Sequence, residues 1–243
     1  MSLKKLFIPI IFLSLIFLSA CQKEEPIDAE EAATLFINRL VYEKESEAFE
    51  KNFKDSQDLK DVMDENAENF QQNLLAGLIT ADETISTETA NQLSESLLTQ
   101  VQEKTSYAAE VKTQDESSAK ITYHVTGLNY PQIIQNTDVD LLTAAQGDNT
   151  ILDDQARLMA TIIESLQKNI DAATTIETPQ NISITLEKSG TQWSVTQDQS
   201  EAVANLYLAF ISGAKTQDEL SEQLTAVAEK VNADLEAQLQ EDN

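Results

Sequence analysis

The chain has 243 residues, with 42 acidic against 16 basic side chains, a formal net charge of -26, one Cys and one His. One Cys excludes an internal disulfide or a multi-Cys zinc site, one His excludes a His-rich metal centre, and the charge argues against nucleic-acid binding, which needs a basic surface to displace counterions. An apolar content of 41% with only 5 Gly and 4 Pro excludes wholesale disorder, and the length suits one domain, with or without an appendage.

The N-terminus reads as an export signal. Lys4 and Lys5 form a positive start, and Leu6 to Leu18 is an apolar run broken only by Pro9 and Ser14. That run is shorter than the ~20 residues a spanning helix needs. It ends in Leu18-Ser19-Ala20-Cys21, which resembles the lipobox of bacterial lipoproteins. The resemblance implies recognition of Leu18, Ser19 and Ala20 by a signal peptidase and cleavage between Ala20 and Cys21. It also implies a covalent diacylglycerol on Cys21, the only cofactor-like group expected. Loss of residues 1–20 removes two Lys and no acid, leaving 14 basic against 42 acidic side chains, a mature charge of -28. Such a body is repelled by anionic lipid, so the anchor has to be hydrophobic, and two or three acyl chains hold where one does not.

Gln22 to Asp28 is a short polar tether that keeps the body near the membrane. From Ala29 the pattern turns helical, with Ala32, Ala33, Phe36, Ile37, Leu40 and Val41 at spacings of three and four and Glu30 and Glu31 in the first turn. It resumes at Ala48, Phe49 and Phe53. Further helices are predicted over Leu59 to Leu78 and Thr87 to Lys104. At Ser106 the period falls to 2. Tyr107, Ala109 and Val111 alternate with polar partners, Asp115 to Ser118 turns, and Ala119, Ile121, Tyr123 and Val125 return, giving a β-hairpin that Gly127, Asn129 and Pro131 close. Residues 132–175 read as two helices. The first, Gln132 to Ala145, is weak, and the second, capped by Asp148 or Asn149, carries a strong stripe from Ile151 and Leu152 to Ile170. A second hairpin holds Ile182, Ile184 and Leu186, a Ser189-Gly190 turn, then Trp193 and Val195. Helices over Glu201 to Gly213 and Thr216 to Gln240 finish the chain, the last with a narrow seam of Leu220, Leu224, Val227, Val231, Leu235 and Leu239.

The expected fold is α+β, with helices packed on a four-stranded antiparallel sheet and extra C-terminal helices, the sheet being curved according to the resemblance given next. Glu31 to Ile37 (Glu-Ala-Ala-x-x-Phe-Ile) and Lys188 to Val195 (Lys-x-Gly-x-x-Trp-x-Val) resemble small extracytoplasmic lipoproteins of Gram-positive bacteria. The resemblance implies a cystatin-like or nuclear-transport-factor-like cone, in which a curved sheet wraps a long helix, and it supplies no catalytic residues. The expected divisions are a cleaved signal at 1–20, a lipid-anchored tether at 21–28, the α+β domain at 29–213 and an acidic amphipathic helix at 214–243.

No nucleophile motif, zinc-protease motif or phosphate loop is present. A Ser-His-Asp triad would have to use His124, which falls in the polar register of a strand between Lys120 and Thr126 and reads as solvated. Asp138, Asp140, Asp148, Asp153 and Asp154 lack the spacing and central Gly of a calcium loop, so no metal is expected. Tyr107, Tyr123 and Trp193 share the apolar register of their strands, and line either the core or a ligand pocket. The expected function is a lipid-anchored, non-catalytic binding or interaction module on the outer face of a Gram-positive cell membrane. One alternative is a cell-wall or extracellular hydrolase using carboxylates that no motif marks. Another is an assembly factor docking on a protein partner through 216–243.

Overall fold

The computed structural model describes residues 26–54, 56, 59, 61, 64 and 86–241, with side chains through Asp234. The lipobox residues, Cys21 and most of the helix expected over 59–78 lie outside the described residues.

The described helices are α1 (Ala29–Leu40), α2 (Ser46–Asn52), α3 (Thr87–Lys104), α4 (Tyr130–Gly147), α5 (Gln155–Asp171), α6 (Ser200–Ser212) and α7 (Gln217–Glu241). The strands are β1 (Ser106–Gln114), β2 (Ser118–Thr126), β3 (Gln180–Ser189) and β4 (Gln192–Val195). Helix starts follow local chemistry. The side chains of Asp28, Ser86, Asn129 and Asp154 each accept from a backbone N–H in the first turn that would otherwise lack a partner. The Lys104 ammonium, in the last turn of α3, donates to the carbonyls of Asp171 and Ala173 and so closes the C-terminus of α5.

The sheet is antiparallel throughout, in the order β1-β2-β3-β4, and the β2–β3 connection carries the α4–α5 pair. Tyr107 pairs with Val125, Ala109 with Tyr123, Tyr123 with Ile182, Ile121 with Ile184 and Leu186 with Val195. One face is thereby apolar and buried, and the other carries Lys120, His124, Asn181, Ser183 and Glu187. Phe36 and Ile37 of α1 and Leu206 and Phe210 of α6 pack in the core with Ile121, Tyr123 and Ile184 of the sheet.

The expected curvature is corrected. The sheet is open and not strongly curled, with β1 and β4 as its edges, so the expected cone does not form. Part of the reason lies in the strands. β4 has only 4 residues, too few to wrap a helix. The chain after β2 runs out into α4 and α5 instead of curling back. The edges are both modified. The segment after α2 lies along β4, with Phe53 bridging to Trp193 and the Lys54 N–H donating to the Trp193 carbonyl at 2.7 Å. On β1 the register slips between Val111 and Thr113, leaving Lys112 as an extra residue in a β-bulge.

Two boundaries differ from expectation. Asn129 and Pro131 begin α4 as cap and first-turn residue, instead of closing the hairpin. Asp148 caps only a 3-10 turn over Asn149–Ile151, and α5 starts at Gln155 because the Asp154 carboxylate accepts from Ala156 and Arg157. Ile151 and Leu152 therefore precede the helix they were expected to open.

Candidate functional site

The three aromatic pocket candidates pack as core. Tyr123 and Trp193 are 0% exposed, and Tyr107 is half-buried. Each polar tip is satisfied by the N-terminal segment: Tyr123 Oη donates to the Ala33 carbonyl at 3.1 Å, Trp193 Nε1 to the Ile27 carbonyl at 3.1 Å, and Tyr107 Oη to Asn38 Oδ1 at 3.1 Å. Tyr107 and Tyr123 meet edge to face at 6.4 Å, and Trp193 sits apart, under the Lys188 ammonium at 5.1 Å. Burial pushes the Tyr107 hydroxyl up to about 12, with Tyr42 and Glu45 adding to it against a bond to Thr34. These rings share one hydrophobic core with the buried face of α1.

A cavity of about 240 Å³ opens elsewhere, between α4 and α7, lined by Asp138, Leu141, Leu142, Ala228, Val231 and Asn232. It exists because the α7 seam packs back on α4. Leu220 and Val227 are buried, Leu224 and Val231 only half-buried. Next to Asp138 in sequence, Val139 is 46% exposed, one of two large apolar side chains so exposed among the described residues. Asp138 has no hydrogen bond or ion pair among the described residues, and burial raises its carboxyl pKa above the ordinary range. Its neighbour Asp140 behaves in the opposite way. Lys168 and Asn169 hydrogen-bond its carboxylate and lower its pKa. The groove combines apolar walls with one unpaired acid, a geometry suited to binding. Sequence reasoning identified the α7 seam but not the groove, which depends on the spacing of two helices far apart in the chain.

The remaining candidates are structural. His124 lies on the polar sheet face, its Nδ1 2.5 Å from Asn181 Oδ1 and its Nε2 3.2 Å from Glu110 Oε2, so an amide and a carboxylate hold the ring. Asp148 is hydrogen-bonded by Arg157 and Thr150, which bring its carboxyl down to about 2. A smaller cavity of about 50 Å³ lies beside Arg39, Glu43, Asp64 and Tyr207, whose hydroxyl burial and Glu43 push up to about 12. Among the described residues no group of three or more His, Cys, Asp or Glu is placed to hold a metal ion, and no helix is long and apolar enough to cross a membrane.

The chain belongs to the family described as Domain of unknown function (DUF5105), whose match spans residues 18–211. The fold is similar to the crystal structure of a lipoprotein candidate (ycdA) from Bacillus subtilis, with a TM-score of 0.54 and 12% identity over 75% of this chain. The match covers 56% of that protein's chain. No curated protein matches the chain at a significant level. The likeness supports the open α+β fold and stops short of a cystatin-like or nuclear-transport-factor-like identity.

Proposed function

We propose that this member of the family is a lipid-anchored, extracytoplasmic protein that binds a partner or ligand without catalysing a reaction. The observation that carries the reading is Leu18-Ser19-Ala20-Cys21 at the end of a basic-then-apolar leader. The family match begins at Leu18, the first residue of that motif. The lipoprotein description of the structurally similar Bacillus subtilis protein points the same way and favours a Gram-positive cell surface. Acyl labelling tests it. Labelled palmitate is expected on the wild type and absent from Cys21→Ala, and label retained on the variant would sink the anchor.

The α4–α7 groove supports the binding reading, as a surface on which a protein partner would dock beside the C-terminal helix. A hydrolase would need one carboxyl held protonated opposite one held ionised. Asp138 has the raised pKa, but it is the only carboxylate among the residues lining the groove, so no ionised partner faces it there. Binding is therefore the reading preferred over hydrolysis.

A further inference from the structure

The chain enters the fold at one end of the sheet. The Ile27 carbonyl accepts from Trp193 Nε1 at 3.1 Å, and Trp193 stands three residues past the Gly190 turn. Two further bonds fix that end. Gln192 Nε2 donates to the Lys51 carbonyl at 3.0 Å, and the Lys188 N–H donates to the Ser117 carbonyl at 2.7 Å, which brings the first hairpin turn alongside the second. From here α1 climbs the sheet. Its Ala33 carbonyl meets the Tyr123 hydroxyl, its Asn38 side chain meets Tyr107, and Tyr42 Oη donates to the Thr105 carbonyl at 3.2 Å, at the opposite end.

Ile27 is six residues beyond Cys21. An extended chain reaches at most ~3.5 Å per residue, so the two are no more than about 20 Å apart. We infer that the two hairpin turns and the end of α2 face the bilayer, at headgroup distance, while the chain after α6 stands away from it. The partner of this end is the lipid surface that carries the protein's own anchor, and the inference rests on the proposed acylation of Cys21. The tether, and not charge, brings this end to the surface. Residues 27–31, 50–54, 114–120 and 185–193 hold four lysines (Lys51, Lys54, Lys120 and Lys188) against seven acids, so anionic headgroups repel this end too and the acyl chains have to hold it.

The test uses the full acylated protein in phosphatidylcholine–phosphatidylglycerol vesicles with a headgroup-linked acceptor dye. A donor dye is placed at Thr191→Cys in the second turn or at Lys215→Cys after α6, both exposed. β3, of 10 residues, separates these ends by about 30 Å. Transfer is expected to be several-fold stronger from position 191 than from 215. Equal or reversed transfer in floated vesicles would overturn the orientation alone. Failure of the wild type to float any better than Cys21→Ala would remove the anchor, and the orientation with it.

Discussion

At the residue scale, two glycines show how differently one residue type is used. Gly127 sits where β2 turns into α4, and a Cβ there would lie 1.8 Å from the Ala209 carbonyl oxygen, a backbone atom that cannot swing aside. The approach is held by backbone bonds on all sides, from Leu128 to Phe210, Asn129 to Thr174 and Ile176 to Gly127. Gly190 has φ +67° and open space around it, so only its conformation demands glycine. Gly127→Ala is expected to cost about 3 kcal/mol or more, lowering Tm by roughly 10 °C, while Gly190→Ala costs about 1 kcal/mol. Thermal melts of the two variants side by side check this, and similar losses would show that the Ala209 contact relaxes. The left-handed turn at Gly190 was legible from Ser-Gly between two alternating runs. The demand at Gly127 was not, because it comes from a helix more than 70 residues away.

At the element scale, α1 serves as a strut across the sheet, pinned by Trp193 at one end and by Tyr107 and Tyr42 at the other. Removing the indole N–H in Trp193→Phe leaves the Ile27 carbonyl without its partner and opens a small void, at a cost of about 2–3 kcal/mol. The expected result is faster amide exchange across Ala29–Ala32 with β2 and β3 still protected. Uniform acceleration throughout the sheet would show that the indole secures the core as a whole and not the strut. Much of this layer was readable beforehand. The change of period at Ser106 marked the start of β1, and Thr87 to Lys104 formed the helix its stripe predicted. The misreadings came from competing local signals. Asn129 and Pro131 favour turns, but they also favour the first turn of a helix, and α4 took them. Asp148 and Asp154 are both able caps six residues apart, and the second one started α5. Nothing in a period of 2 separates a flat sheet from a curled one, so the curvature expected by resemblance had no support in the strands themselves.

On the scale of the whole molecule, charge opposes compactness. The 42 acids and 16 bases leave 26 negative charges without a counterpart. Among the described residues, the ion pairs Lys112–Glu110, Arg157–Asp148 and Lys168–Asp140 all involve exposed or partly exposed side chains and add little. Screening should therefore stabilise the fold. Raising salt from 10 to 150 mM shortens the Debye length from about 30 to about 8 Å and is expected to raise Tm by a few degrees. A fall in Tm would mean that the ion pairs outweigh the general repulsion. The net charge was plain from composition, whereas the α4–α7 groove arises from packing between distant segments. In the anchored arrangement proposed above, the two altered sheet edges have a further bearing on copies that would share a surface. An open sheet offers hydrogen-bonding templates at both borders, and confinement to two dimensions multiplies encounters between neighbours. Here one border is already occupied by the chain after α2, and the other is kinked at Lys112. Strand-to-strand polymerisation therefore lacks a straight starting row, and a dense layer of these molecules can remain a layer of separate, mutually repelling particles.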